Sequence, residues 1–275
     1  MLMRSTAINR WLFTGVSIER LAGILSDIGF NSVELTAWEV LNKSHEDLES
    51  IWACLHAHEI EVSAINAVVS FVPYIHGSIT DKISWRRKEF LRVLENIIEK
   101  MHIIDCHRLI VSPGRQAENY QTRDEAWRTT VESLRHLGKY GSRYNVEILV
   151  EAMPFRGPFK YSRDIRGLVE EAGQPYVYAS MDTGHVALAG EDLKVAAETL
   201  GKHLHYLHLS NVKIELGRPL LDEHRPLYDG TISIEEFAGL LSMLKDAPLA
   251  INVVTLNDPI ICAKRCLQLI GSSRR

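Results

Sequence analysis

Eight short apolar runs of strand-forming residues alternate along this chain with longer segments of helical period, a pattern built from parallel βαβ units. The runs are Ala7 to Phe13, Ser32 to Thr36, Val62 to Val69, Arg108 to Ser112, Glu147 to Ala152, Val177 to Met181, Leu204 to Ser210 and Leu249 to Val254. A strand, a helix and two loops take about 34 residues, so 275 residues hold eight such units. The helices carry their own punctuation. Ile18, Leu21, Leu25 and Ile28 form one apolar stripe, closed by Gly29 where a left-handed residue ends a helix. Ser233 and Glu236 are spaced as a capping box, with Ile232 and Phe237 as a hydrophobic staple, which predicts a helix through Leu244. Trp85 to Met101 and Thr122 to Tyr144 read as the longest helices.

The alternation fits either a closed (β/α)8 TIM barrel or a doubly wound open sheet. No GxGxxG or Walker loop follows any run, so nothing supports a nucleotide-binding open sheet. The expectation is therefore an α/β chain with a single TIM-barrel domain over residues 1–275.

Charge and composition narrow the partners. A formal net charge of -4 disfavours loose attraction to nucleic acid or anionic membrane, and no apolar run reaches spanning length. The opening residues MLMRSTAINRWLF contain no long apolar core of a secretory signal. Cys54, Cys106, Cys262 and Cys266 are too few and scattered for a disulfide framework, so a cytoplasmic location is expected. Cys262 and Cys266 share a helix face, but no His or further Cys completes a metal set beside them, and they read as buried thiols.

In a barrel, chemistry gathers at the carboxyl ends of the strands. Strand five ends in Val150-Glu151-Ala152, strand six in Asp182-Thr183-Gly184-His185, strand seven in His208-Leu209-Ser210-Asn211 and strand eight in Ile251-Asn252-Val253. Two acids and an imidazole on three consecutive apolar strands cost desolvation energy unless a cation neutralises them. Glu151, Asp182 and His208 are therefore expected to hold one divalent metal ion, and the mixed O,O,N set suits Mn, Mg, Co or Zn. Taken alone, Asp182 also reads as a helix cap.

These segments, with His224-Arg-Pro-Leu-Tyr-Asp-Gly-Thr-Ile, resemble the xylose isomerase-like TIM barrel superfamily of sugar isomerases and epimerases and endonuclease IV-like enzymes. The resemblance covers nearly the whole chain, and Asp-Thr-Gly-His is its most specific part. It implies that Glu151, Asp182 and His208 bind the metal and that a strand-eight glutamate completes the shell; Asn252 stands in that place here. An amide oxygen can ligate, but it brings no charge and cannot shuttle a proton at neutral pH. His185, Asp222 and His224 match a second cation site of the endonuclease branch, or else His185 orients a carboxylate or substrate hydroxyl while Asp222 and His224 line the loop. That branch has a histidine before Pro-Gly after strand four, where this chain has Ser112-Pro113-Gly114. A homodimer or homotetramer is also implied.

Glu34 and Trp38 follow strand two and are candidates to bind and stack on a sugar ring, with ordinary packing as the alternative. Asn66, Ser112 and Arg115 lie near other strand ends as candidates for substrate hydroxyls or phosphate, although short polar residues there are also turn formers. The first functional expectation is an isomerase or epimerase acting on a sugar, ketose or polyol through an enediolate, with Glu151 as base and His185 as a further catalytic group. A metal-dependent lyase or AP-endonuclease-like phosphodiesterase, and a non-catalytic sugar-binding barrel motivated by Asn252, are the alternatives.

Overall fold

Three strands in this chain stop where a hydrogen bond outside the ladder diverts the backbone from the next rung. Asn9 Oδ1 accepts the Trp11 N–H at 2.8 Å, so the run expected to reach Phe13 gives strand β1 (Thr6–Asn9) followed by a 3-10 turn over Arg10–Phe13. Asn66 Oδ1 accepts the Val68 N–H at 3.0 Å and ends β3 (Glu61–Asn66); Val69 lies outside the described residues. The Val254 N–H goes to the His224 carbonyl at 2.7 Å, and β8 (Leu249–Ile251) is correspondingly short. The other strands are β2 (Ser32–Thr36), β4 (Arg108–Val111), β5 (Glu147–Glu151), β6 (Val177–Asp182) and β7 (Leu204–Leu209).

All eight pair in parallel and in chain order, and β8 returns to β1, so the sheet is the closed barrel expected. The computed structural model describes residues 6–68, 77–114, 122–153, 157–217, 220–244, 247–255 and 258–273. Opposite Val33–Glu34 and opposite Ala179–Ser180 the register skips one residue, Ser63 in β3 and His205 in β7, and these bulges bend β3 and β7. The second shift sets Asp182 directly opposite His208.

Helices cover the outside: α1 (Ile18–Ile28), α2 (Ala37–Leu41), α3 (His45–Ala57), α4 (Ser84–Met101), α5 (Arg123–Gly141), α6 (Ser162–Ala172), α7 (Thr183–Leu188), α8 (Leu193–Leu200), α9 (Ile234–Met243) and α10 (Pro259–Ser273). Gly29 closes α1 at φ 100°, and Ser233 with Glu236 forms the capping box of α9. α5 ends three residues before Tyr144 because the chain turns at Gly141, whose carbonyl takes the Val146 N–H at 2.9 Å. Cys262 and Cys266 are buried on α10 as free thiols. Among the described residues, no helix is long and apolar enough to cross a membrane.

The apolar interior has two parts. The larger fills the layer between strands and helices, with residues such as Leu25, Val33, Ile65, Leu94, Ile148 and Leu207. The smaller packs Ala7, Ala64, Ile110, Leu149, Tyr206 and Ala250 together on the alternate strand positions, inside the barrel. Successive side chains on a strand point to opposite faces, so the residue two further on shares that interior face. Those residues are Asn9, Asn66, Ser112, Glu151, His208 and Asn252, all buried. Ser32 to Glu34 and Ser180 to Asp182 take the same step. An apolar plug thus supports one polar layer at the carboxyl end.

Candidate metal and substrate site

Glu151, His208 and Asp182 face the same space in that layer, but they are not equally close. His208 Nδ1 lies 2.6 Å from Glu151 Oε2, a contact between charged groups without the alignment of a hydrogen bond. Asp182 joins them indirectly. Its Oδ2 accepts from Asn252 Nδ2 at 3.2 Å, and its Oδ1 accepts from Ser210 Oγ at 2.7 Å and from the His185 N–H at 3.1 Å. Asp182 is therefore both the N-cap of α7 and a member of the cluster, since one oxygen faces the helix and the other faces Asn252.

The donors that all lie within 4.8 Å of one another belong to a different set, His185, Asp222 and His224. His185 Nε2 is 3.2 Å from Asp222 Oδ2, and His224 Nε2 is 3.3 Å from Asp222 Oδ1. Their other ring nitrogens face the first group: His185 Nδ1 is 3.7 Å from Glu151 Oε1, and His224 Nδ1 is 3.8 Å from Asp182 Oδ2. The two sets form one continuous cluster. The loop before α9 reaches over the barrel because Asn211 and Arg225 exchange backbone hydrogen bonds at 2.9 and 2.7 Å. His224 adopts φ 45°, a left-handed conformation uncommon for a residue with a side chain, and is held there between that bridge and Val254.

Glu34, expected beside a sugar, lies fully buried behind His208. Its Oε2 accepts from His208 Nε2 at 2.7 Å, while Oε1 accepts from Asn66 Nδ2 at 3.0 Å and from Asn9 Nδ2. A carboxylate on Nε2 keeps that nitrogen protonated and leaves Nδ1, turned toward Glu151, as the nitrogen that would ligate a metal in exchange for its proton. Asn66 thus holds Glu34 through Nδ2 while its Oδ1 takes the Val68 N–H. Ser112 is buried at the end of β4, Trp38 is 47% exposed on the first turn of α2, and Arg115 lies outside the described residues. Asn9, Ser180 and Ser210 were missed by motif reading. Their signal is positional: Asn9 and Ser180 follow interior residues by two, and Ser210 follows His208 by two.

The cluster collects four acids (Glu34, Glu151, Asp182, Asp222) around three histidines (His185, His208, His224), so its electrostatics call for cations. Burial works against the ionised form of Asp182, yet His185, His224 and His208 together hold its carboxyl below the usual range. Burial likewise opposes charge on His185, but Asp182, Asp222 and Glu151 outweigh it and push the imidazole up to about 10. The same balance raises His208 against Glu34 and Glu151, and His224 against Asp222 and Asp182. Protons on the imidazoles thus fill the role that a divalent cation could fill.

The donor chemistry fits such an ion. His208 Nδ1, His185 Nδ1 and Asn252 Oδ1 are buried without a hydrogen-bond partner in this layer, a costly state for polar atoms unless something else binds them. Gly184 sits where a Cβ would collide with Ser210 Oγ, so the close passage of α7 over the Asp182–Ser210 contact requires glycine.

The sequence model of the family described as xylose isomerase-like TIM barrel matches residues 23–258. An inosose dehydratase of Clostridium tetani (strain Massachusetts / E88) is 23% identical over 181 residues, a match spanning 64% of this chain and 58% of the dehydratase. The D-psicose 3-epimerase of Clostridium cellulolyticum H10, solved with D-tagatose, superposes with a TM-score of 0.82 at 14% identity, over 98% of this chain and 99% of that one. IolI, solved with a zinc atom, superposes with a TM-score of 0.77 at 16% identity, over 98% and 96% of the two chains.

Proposed function

Because the chain belongs to the xylose isomerase-like TIM barrel family, we propose that it is a divalent-metal-dependent isomerase or epimerase of a ketose-like sugar or polyol. The observation that carries this reading is the pair of buried ligand atoms without a hydrogen bond, His208 Nδ1 and Asn252 Oδ1, beside the carboxylates of Glu151 and Asp182. The epimerase with its ketose and the zinc in IolI support it by likeness. Glu151, Asp182, His208 and Asn252 would hold the metal, with Mn, Mg, Co or Zn suited to the donors. Bound there, such an ion supplies positive charge to the oxygens of a carbonyl and its neighbouring hydroxyl as a proton leaves carbon.

The protein groups divide the proton work. Glu151 Oε2 is occupied by Ser180 Oγ at 3.2 Å and by His208, which leaves Oε1 as the oxygen to take the proton. His185, steadied by Asp222 at 3.2 Å, presents Nδ1 beside that oxygen and acts on the substrate hydroxyl or carbonyl oxygen. Asn252 provides no second base on the opposite face of the substrate, since an amide does not exchange protons at neutral pH. Glu151 therefore returns the proton on the face it came from, the stereochemistry of an aldose–ketose shift, unless His224 serves the other face.

Incubation of the metal-loaded protein in deuterium oxide with aldoses, ketoses and inosose-like polyols should place deuterium at the carbon beside the carbonyl, and Glu151→Gln should lower the exchange by at least about a thousandfold, within the loss expected of a removed base. A sugar that binds yet never acquires deuterium would refute the proton-transfer chemistry. Asn252→Glu adds a charged ligand and should tighten Mn binding by about tenfold or more. Unchanged, negligible metal uptake in both forms would instead favour a non-catalytic sugar-binding barrel.

The spacing of His185, Asp222 and His224 favours one second reading, a lyase or AP-endonuclease-like phosphodiesterase using a further cation at those three donors. The dehydratase relative supports its elimination version. Two ions per chain, with loss of water from an inosose or cleavage of abasic-site DNA, would select it; one ion, no dehydration and intact DNA would reject it.

A further inference from the structure

Across the mouth from the acid and histidine cluster lies a cavity of about 290 Å³ that the chemistry above does not use. Its described walls come from the carboxyl ends of β1, β2 and β3: Trp11 and Gly15, Trp38 and Glu39, and Asn66 and Val68, with Arg10 at its side. Glu151, Asp182, His185, His208 and Asn252 do not line it, so it lies beside the cluster rather than against those groups. It nevertheless adjoins them. The Trp11 ring meets His224 edge-on at 6.2 Å, and Asn66, which lines the cavity, holds the Glu34 carboxylate behind His208.

The walls select by charge as well as shape. Arg10 is the one Lys or Arg among the described lining residues, and its three nitrogens already donate to Glu39 at 2.7 Å, to the Phe13 carbonyl and to the Val16 carbonyl. Glu39 gives its other oxygen to Thr36. An anionic group entering here meets a compensated ion pair rather than a free cation. The walls instead carry two indoles, Trp11 and Trp38, side chains suited to the C–H surface of a ring. A cavity of this size approaches the lower end of those that enclose a whole small organic ligand, about 300 Å³.

We infer that the Trp11–Trp38 cavity is a second substrate subsite for a neutral ring, so that the substrate is a ketose bearing a glycosyl or similar uncharged ring substituent, and not a sugar phosphate. The inference rests on the proposed ketose chemistry for what occupies the cluster, but it concerns binding at a separate place. A second ring excludes water from the reacting end, and its contact with the tryptophans adds affinity that a free ketose lacks.

Titration calorimetry on the Mn-loaded protein with D-fructose, D-fructose 6-phosphate and the reducing disaccharides isomaltulose and lactulose tests this, because all four share one ketose unit. The better disaccharide should bind about tenfold tighter than D-fructose, and the phosphate no tighter than D-fructose. Trp38→Ala should bring the disaccharide-to-fructose ratio close to one, while Trp38→Phe, which keeps an aromatic face, should retain most of it. Equal binding of disaccharides and D-fructose, absence of disaccharide binding, or preference for the phosphate overturns the subsite. Binding in the expected order without deuterium exchange would leave the subsite standing and remove the isomerase reading instead.

Discussion

The two sides of the barrel mouth are built on opposite principles. On the β5–β8 side, buried acids and histidines crowd together with several donors unpartnered, an arrangement stable only with protons or a cation among them. On the β1–β3 side the charges are paired off against one another and the walls are aromatic and open. The first side is tense and suited to moving protons. The second is relaxed and suited to holding a neutral body, and substitutions should separate the two by size and by kind of effect.

Of three further substitutions, Glu34→Gln should have the largest effect. Glu34 accepts from three donors, Asn9, Asn66 and His208, whereas glutamine offers a single acceptor oxygen and a new N–H₂. Turned toward His208, that N–H₂ moves the imidazole proton to Nδ1 and removes the metal-facing lone pair. Turned away, it meets the two asparagine donors. Metal affinity, read by competition with a chelator, should fall by about 10–100-fold although Glu34 is behind the site. An unchanged affinity would show that the side chain does not set the His208 tautomer.

Gly184→Ala comes next. The added methyl strikes Ser210 Oγ and presses on the Asp182 contact, for a loss of about 1–3 kcal/mol in unfolding by denaturant, with weaker metal binding following. The smallest effect should be that of Trp38→Ala on stability. A side chain 47% exposed on a short helix contributes little to the core, and the change should stay within about 0.5 kcal/mol while sugar preference shifts. A large loss of stability there would mean that the relaxed side of the mouth is structural after all.

The same contrast separates what motif reading reached from what it missed. Glu151, Asp182 and His208 stand at strand ends beside recognisable neighbours, so their position was legible. Their spacing was not: Glu151 and His208 touch, Asp182 is tied in through Asn252 and Ser210, and the compact triplet is His185, Asp222 and His224. Glu34 was noticed at its strand end but assigned to a sugar, because nothing near Ser32-Val33-Glu34 in the chain refers to His208. Arg10 and Trp11 were read as strand, since an apolar run does not reveal that Asn9 will cap a 3-10 turn and turn both residues toward the mouth.

By itself the amino-acid sequence determined the eight βα units, the helix ends at Gly29 and Ser233 and the strand ends on which polar residues fall, because periodicity, caps and turns are set by neighbours a few residues apart. Only the closed barrel decided which of those polar residues meet. Glu34 and His208 are 174 positions apart and become partners through the closure of β8 onto β1 and the register skips in β3 and β7. Contact across a barrel depends on register summed over every strand between, a property of the assembled sheet that no local stretch of chain carries.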